Sequence, residues 1–134
     1  MQENNSLCPC HSRKTYFQCC KIFHDGKLPP TALDLMRSRY SAYALRLPQY
    51  IIDTTHPDHI DFGKKETREI EHFCNTTQFE NLVIVEFDAG EFVATVTFTA
   101  HLRQNGKEFA FTEKSWFEKV DGQWLYKKGE ILHG

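Results

Sequence analysis

A chain of 134 residues, 40% hydrophobic and 13% aromatic, carries enough apolar surface for one core and little for a second. A formal charge of −2 and a sequence pI near 6.4 exclude a global drive toward nucleic acid or anionic membrane, so such binding would have to be local. No stretch approaches the ~20 apolar residues of a membrane span, and no charged leader precedes an apolar run, which makes a cytoplasmic protein the expectation.

The first element is the run 8–20, Cys8-Pro9-Cys10-His11-Ser12-Arg13-Lys14-Thr15-Tyr16-Phe17-Gln18-Cys19-Cys20, with four of the five cysteines. A Cys-x-Cys pair and an adjacent Cys-Cys pair, joined by a basic loop, offer two short arms to one tetrahedral ion, and four thiolates favour Zn²⁺. Four protein ligands leave no open position, so zinc on Cys8, Cys10, Cys19 and Cys20 is expected to be structural. It would supply roughly 10–16 kcal/mol of apparent binding energy to a segment with little apolar core. His11 and His24 are candidate substitute ligands. Cys8-x-Cys10 lacks the Cys-x-x-Cys redox spacing, and an intracellular chain seldom keeps structural disulfides. The same residues resemble the SEC-C motif at the carboxyl terminus of SecA, where Cys-x-Cys, eight residues and Cys followed by His or Cys hold zinc. His11 and Arg13 stand where that motif commonly reads Gly-Ser-Gly.

Residues 21–30 read as turn and linker, with Ile22, Phe23 and Leu28 leaning on the main body. Thr31 then caps a helix, with Asp34 completing a loose capping box. Leu33, Met36, Tyr40, Tyr43, Ala44 and Leu47 recur at helical spacing and predict one apolar face ending before Pro48. Pro48 opens a short helix through Tyr50, Ile51 and Ile52. A third helix over 66–74 carries Ile70 and Phe73, with Cys74 expected as a buried thiol.

From residue 79 the period becomes two, predicting strands over 79–87, 92–102, 108–120 and 123–132. Ala89-Gly90, Asn105-Gly106 and Asp121-Gly122 join them, the last two being strong hairpin signals. Two-residue loops would put Val83, Val85 and Phe87 on a core face with Phe92, Ala94, Val96, Phe98, Ala100, Leu102, Phe109, Phe111, Phe117 and Tyr126. In this register Glu113 opposes Phe98 and Glu130, and Ser115 opposes Lys128. The other face, rich in threonine around Trp116, is a candidate homodimer surface.

Helices followed by a bent antiparallel meander give an α+β cone. The string Leu35-Met36-Arg37-Ser38-Arg39-Tyr40-Ser41-Ala42-Tyr43, the Thr55-His56-Pro57 turn, Phe111-Thr112-Glu113-Lys114-Ser115 and Asp121-Gly122-Gln123-Trp124 resemble the bacterial YchJ family. That resemblance implies a SEC-C zinc knuckle with its linker over 1–28 and a cone-shaped nuclear transport factor 2-like domain over 29–134.

Two functional expectations follow. The SEC-C resemblance implies a docking surface for a protein partner, with Tyr16, Phe17 and their basic neighbours exposed; Arg13, Lys14, Lys21 and Lys27 are too few for a nucleic-acid stripe. The second expectation is a small-molecule binder or an isomerase- or dehydratase-like enzyme using the cone, with Arg37, Tyr40, His56, Glu113, Lys128 and Glu130 as pocket candidates. Opposed carboxylates of unequal pKa suit acid–base work, whereas His56 before Pro57 also suits a turn cap. No phosphate loop, His-Glu-x-x-His helix, nucleophile elbow or dinucleotide fingerprint is present, which favours binding over catalysis.

Overall fold

Two hairpin turns set the frame. Asn105 and Gly106 have φ of 52° and 78°, and Asp121 and Gly122 have φ of 51° and 82°, the paired left-handed residues whose twist matches that of the flanking strands. They join strands in a computed structural model that describes residues 6–59 and 67–133. The strands are β1 (Thr77–Asp88), β2 (Val93–Gln104), β3 (Lys107–Val120) and β4 (Gln123–His133), in one antiparallel sheet of order β1-β2-β3-β4. From Gln104↔Lys107 to Val93↔Glu118 the β2–β3 register is unbroken, with Phe98 opposite Glu113. Ala94, Val96, Phe98, Ala100, Leu102 and Phe117 accordingly face the core and are buried.

The outer strands depart from the expected register. In β1 the pairing shifts between Phe79 and Asn81 and again between Ile84 and Glu86. These bulges turn Leu82 and Ile84 toward the core, opposite Ala100 and Phe98, and leave Val83 and Val85 exposed. In β4, Tyr126 pairs with Phe117 but Lys128 pairs with Trp116, so Lys127 is the extra residue of a bulge and the faces exchange beyond it. The expected pairs Glu113 with Glu130 and Ser115 with Lys128 do not form: Glu113 opposes Ile131, Ser115 opposes Gly129, and Lys128 and Glu130 are exposed. Phe92 and Phe109, expected in the core, lie near opposite ends of the sheet and are exposed.

Helix α1 (Cys20–His24) occupies what the sequence reading makes a linker. Ile22 and Leu28 are exposed rather than packed on the body, and Pro29 is the buried residue there. Helix α2 (Ala32–Ala44) begins as expected: Asp34 N donates to Thr31 Oγ1 at 3.1 Å, and that hydroxyl donates to the Asp34 carboxylate at 2.9 Å. Its buried side is broader than the expected stripe, because Leu35, Ser38, Arg39, Ser41 and Ala42 join Met36 and Tyr40. The sheet covers one flank, while Ser38 and Ser41, lacking bulk, let the N-terminal segment approach the other. Helix α3 (Pro48–Asp53) has its proline in the first turn. In helix α4 (Thr67–Thr76), Ile70 and Cys74 pack with Ala42 and Ile51; the predicted start at Glu66 lies outside the described residues. Among the described residues no helix is long and apolar enough to cross a membrane.

Candidate metal centre and cavity

The cysteine loop closes on itself before it meets the body. Cys8 N donates to Lys14 O at 2.8 Å, Tyr16 N donates to Ser6 O at 2.9 Å, and a single-turn 3₁₀ helix at Tyr16–Gln18 brings Cys19 and Cys20 round. His11 and Arg13 adopt φ of 63° and 75°, the left-handed region that a glycine enters without steric penalty. The loop therefore keeps the shape those glycines would favour, at a cost of about 1 kcal/mol per substituted position. The four sulfurs all lie within 4.8 Å of one another, with Cys10 and Cys19 at 3.6 Å and Cys19 and Cys20 at 3.9 Å. Sulfurs bonded tetrahedrally to an ion at about 2.3 Å stand roughly 3.8 Å apart, so the donor set fits one metal. None of the cysteines is in a disulfide. Crowding divides the protons unequally: hydrogen bonding from Cys19 pulls the Cys10 thiol far down, and bonding with Cys10 pushes Cys20 up.

Neither candidate substitute ligand faces the sulfurs. His24 Nε2–H donates to Ser38 O at 2.9 Å, which leaves Nδ1 to accept from Tyr16 Oη at 2.8 Å, and burial lowers its pKa. His11 Nε2 lies 3.4 Å from Phe79 O, its ring edge-on to Tyr40. Arg37, a pocket candidate, reaches the other way and donates to Cys10 O at 3.1 Å. These contacts press the cysteine loop onto α2, which is why Tyr16, expected at the surface, is buried; Phe17 remains exposed, with the Lys21 ammonium 5.2 Å from its ring centre.

A cavity of about 220 Å³ lies between the helices and the core face of the sheet. Tyr40 and Tyr43 of α2, Phe73 of α4, and Phe79, Phe98 and Phe111 of the sheet form apolar walls, and Arg39, Glu113, Ser115 and Tyr126 supply its polar groups. The β4 bulge builds this polar end. With Gly129 opposite Ser115, the Glu113 carboxylate turns inward to accept from Ser115 Oγ at 2.5 Å and Tyr126 Oη at 3.4 Å. A Cβ at Gly129 would collide with that carboxylate and the Tyr126 hydroxyl. Burial raises the Glu113 pKa, outweighing these two bonds and the nearby Arg39 charge, which lower it.

Arg39 of α2, absent from the expected pocket residues, supplies the cavity's cation. It is buried; Nη1 donates to Ile51 O at 3.0 Å, Thr54 Oγ1 at 2.7 Å and Thr55 Oγ1 at 3.3 Å, and the guanidinium stacks 4.7 Å from the Tyr126 ring centre. Its position beside Met36 and Tyr40 signals this place once the buried side of α2 is allowed its true breadth. Of the six pocket candidates, Tyr40 and Glu113 line the cavity, whereas Arg37, His56, Lys128 and Glu130 do not. His56 ties down the turn after α3: Nε2–H donates to Glu118 Oε1 at 2.6 Å, Nδ1 accepts from Asp58 N at 2.9 Å, and its main-chain N–H donates to Tyr126 O at 2.8 Å. Lys128, carried by the bulge to the outer face, sits with Lys114 around Trp116, their ammoniums 4.9 and 5.2 Å from its ring centre.

Comparison with known proteins adds three findings. The family model described as "YchJ, middle NTF2-like domain" matches residues 31–129. A UPF0225 protein of Geobacter sulfurreducens is 40% identical over 129 residues, covering 92% of this chain and 78% of the relative. Among solved structures, a SEC-C motif containing protein from Rhodopseudomonas palustris aligns with a TM-score of 0.84 at 31% identity, covering 93% of this chain and 98% of that one. Another from Psychrobacter arcticus reaches 0.83 at 27% identity, covering 98% and 85%.

Proposed function

The chain belongs to the YchJ-like UPF0225 family, and from that premise we propose that it is a zinc-stapled binding protein whose ligand is a small molecule held inside the cone. Four sulfur donors at tetrahedral spacing favour zinc over harder cations. Cys8, Cys10, Cys19 and Cys20 would hold it; with every position filled by protein, its contribution is to fix the fold of the loop. Metal analysis of the purified chain should find one zinc per molecule, lost in Cys10→Ser; another metal at the same stoichiometry would overturn the assignment of zinc.

The observation that carries the binding reading is the cavity itself. Aromatic walls converge on a few polar groups, which is how small-molecule sites are built. The polar groups inside it are engaged with one another, Ser115 and Tyr126 both donating to Glu113, and recognition rather than bond-breaking is the role we assign. Substituting Ala100, a small lining residue, by leucine would fill part of the space. Titration calorimetry with 3-phenylpropan-1-ol should give binding to the parent and at least a tenfold loss in Ala100→Leu; equal binding by both would place the ligand elsewhere.

A protein-contact role for the knuckle has narrower support, in the exposed side chains of Leu7, Arg13, Lys14 and Phe17. A partner using that patch should be captured by the zinc-loaded parent and released by Phe17→Ala combined with Lys14→Ala. Unchanged capture would remove this reading.

A further inference from the structure

We propose that the ligand of the cone is a small organic carboxylate, one ring or its equivalent in size, whose acid group docks on the open edge of Arg39. This rests on the cavity being the binding site. The first support is a charge imbalance. Arg39 is buried, and among the described residues no carboxylate lies within the 4.0 Å of an ion pair; its contacts are a carbonyl, two hydroxyls and an aromatic ring, all neutral. Guanidinium does not lose its proton in proteins, and a buried charge is stabilised only when paired or fully hydrogen-bonded. An anion entering the cavity would complete that pairing.

The second support is the shape of what Arg39 leaves open. All three of its hydrogen bonds use Nη1, and the Tyr126 ring covers the guanidinium plane. Nε–H and Nη2–H remain, without partners among the described residues, and together they form the planar edge that grips a carboxylate through two parallel bonds. Neither is sealed in protein, because among the described residues the buried polar atom without a partner is Trp124 Nε1. Arg39 lines the cavity, and we assign its open edge to the ligand space.

Volume sets the rest of the molecule. An apolar cavity of about 150 Å³ accepts benzene; one of about 220 Å³ has room for a ring with a short acid-bearing arm, and its walls supply Phe79, Phe98 and Phe111 to pack on it. Glu113 opposes the anion less than an exposed carboxylate would, since burial shifts it toward its neutral form.

The test compares probes of matched size on the zinc-loaded full chain at neutral pH: 3-phenylpropionate, 3-phenylpropanamide and 3-phenylpropan-1-ol, with acetate as the acid without a body. Calorimetry should show the propionate binding about tenfold or more tighter than the amide and alcohol, as a charge-assisted pair in a largely apolar pocket requires, and acetate scarcely at all. Arg39→Met should erase that preference. Should that variant not fold, the parent decides alone: the Arg39 Nε–H resonance should shift on adding the propionate and stay in place with the alcohol. Equal affinities for the three ring compounds would overturn the carboxylate assignment and leave the cavity reading standing. Binding of none would overturn both.

Discussion

The sulfur site and the cavity both gather polar groups away from water, and they are unbalanced in opposite directions. The first brings four potential anions within 4.8 Å of one another and needs a cation; the second encloses a guanidinium with no carboxylate at ion-pair distance among the described residues and needs an anion. The sulfur site is made within residues 8–20, where each ligand's place follows from local turns. Helices α2 and α4 and all four strands build the cavity together, and its polar end depends on a bulge. A site assembled locally can be rigid only with its ion, whereas one assembled by the core keeps its shape when empty.

Metal removal should break that comparison most sharply. If the site holds the proposed zinc, a strong chelator should forfeit the roughly 10–16 kcal/mol of apparent binding energy of such a site and unfold the cysteine loop. Hydrogen exchange would show the amides of Cys8 and Tyr16, now bonded to Lys14 O and Ser6 O, losing protection. Core amides of β2 should stay protected, because the cluster of Leu35, Met36, Val96 and Phe117 includes none of the four cysteines. Retained protection at Cys8 would mean that hydrogen bonds and packing hold the loop without metal.

A smaller effect is expected where the bulge shapes the cavity. Gly129→Ala places a methyl group against the Glu113 carboxylate and the Tyr126 hydroxyl. Both are tips of side chains and can give way, so the loss should sit near the low end of the overpacking range, about 1 kcal/mol, read as a shift in denaturant midpoint. The carboxylate would leave Ser115 as it moves, and acid binding should change more than stability does. An unaffected midpoint together with unaffected binding would show that the Gly129 gap serves neither.

The same contrast governs what could be read from the chain. The cluster of four cysteines, the Thr31 cap and the register from Asn105-Gly106 outward are set by neighbours in sequence, and each has a residue-level signal. The bulges at β1 and Lys127 have none, because an extra residue in an alternating strand looks like ordinary alternation until its partner is known. Missing them exchanged Leu82 and Ile84 for Val83 and Val85 and put Lys128 and Glu130 inside. The burial of Tyr16 and Arg39 was hidden for a related reason: docking of the cysteine loop and of α3 widens the buried side of α2 beyond the stripe its leucine and methionine mark.

The smallest expected effect is a slope. Because burial raises the Glu113 pKa in the folded chain, the folded state holds a proton that the unfolded chain releases in the ordinary carboxylate range. Stability from this group is therefore full below that range and falls as pH rises toward the raised folded value, above which it is flat. Three groups oppose the shift without cancelling it: Ser115 and Tyr126 through hydrogen bonds and Arg39 through its charge. Glu113→Gln keeps the shape and removes the ionisation, so the difference in unfolding free energy between parent and variant should tilt in favour of the variant as pH rises through that window. The carboxylate ligand should carry the parent's fall to higher pH, since a negative charge beside Glu113 makes its proton harder to lose. A difference independent of pH, with and without 3-phenylpropionate, would mean that Glu113 ionises as freely as an exposed glutamate and that the Arg39 charge already has its counterion.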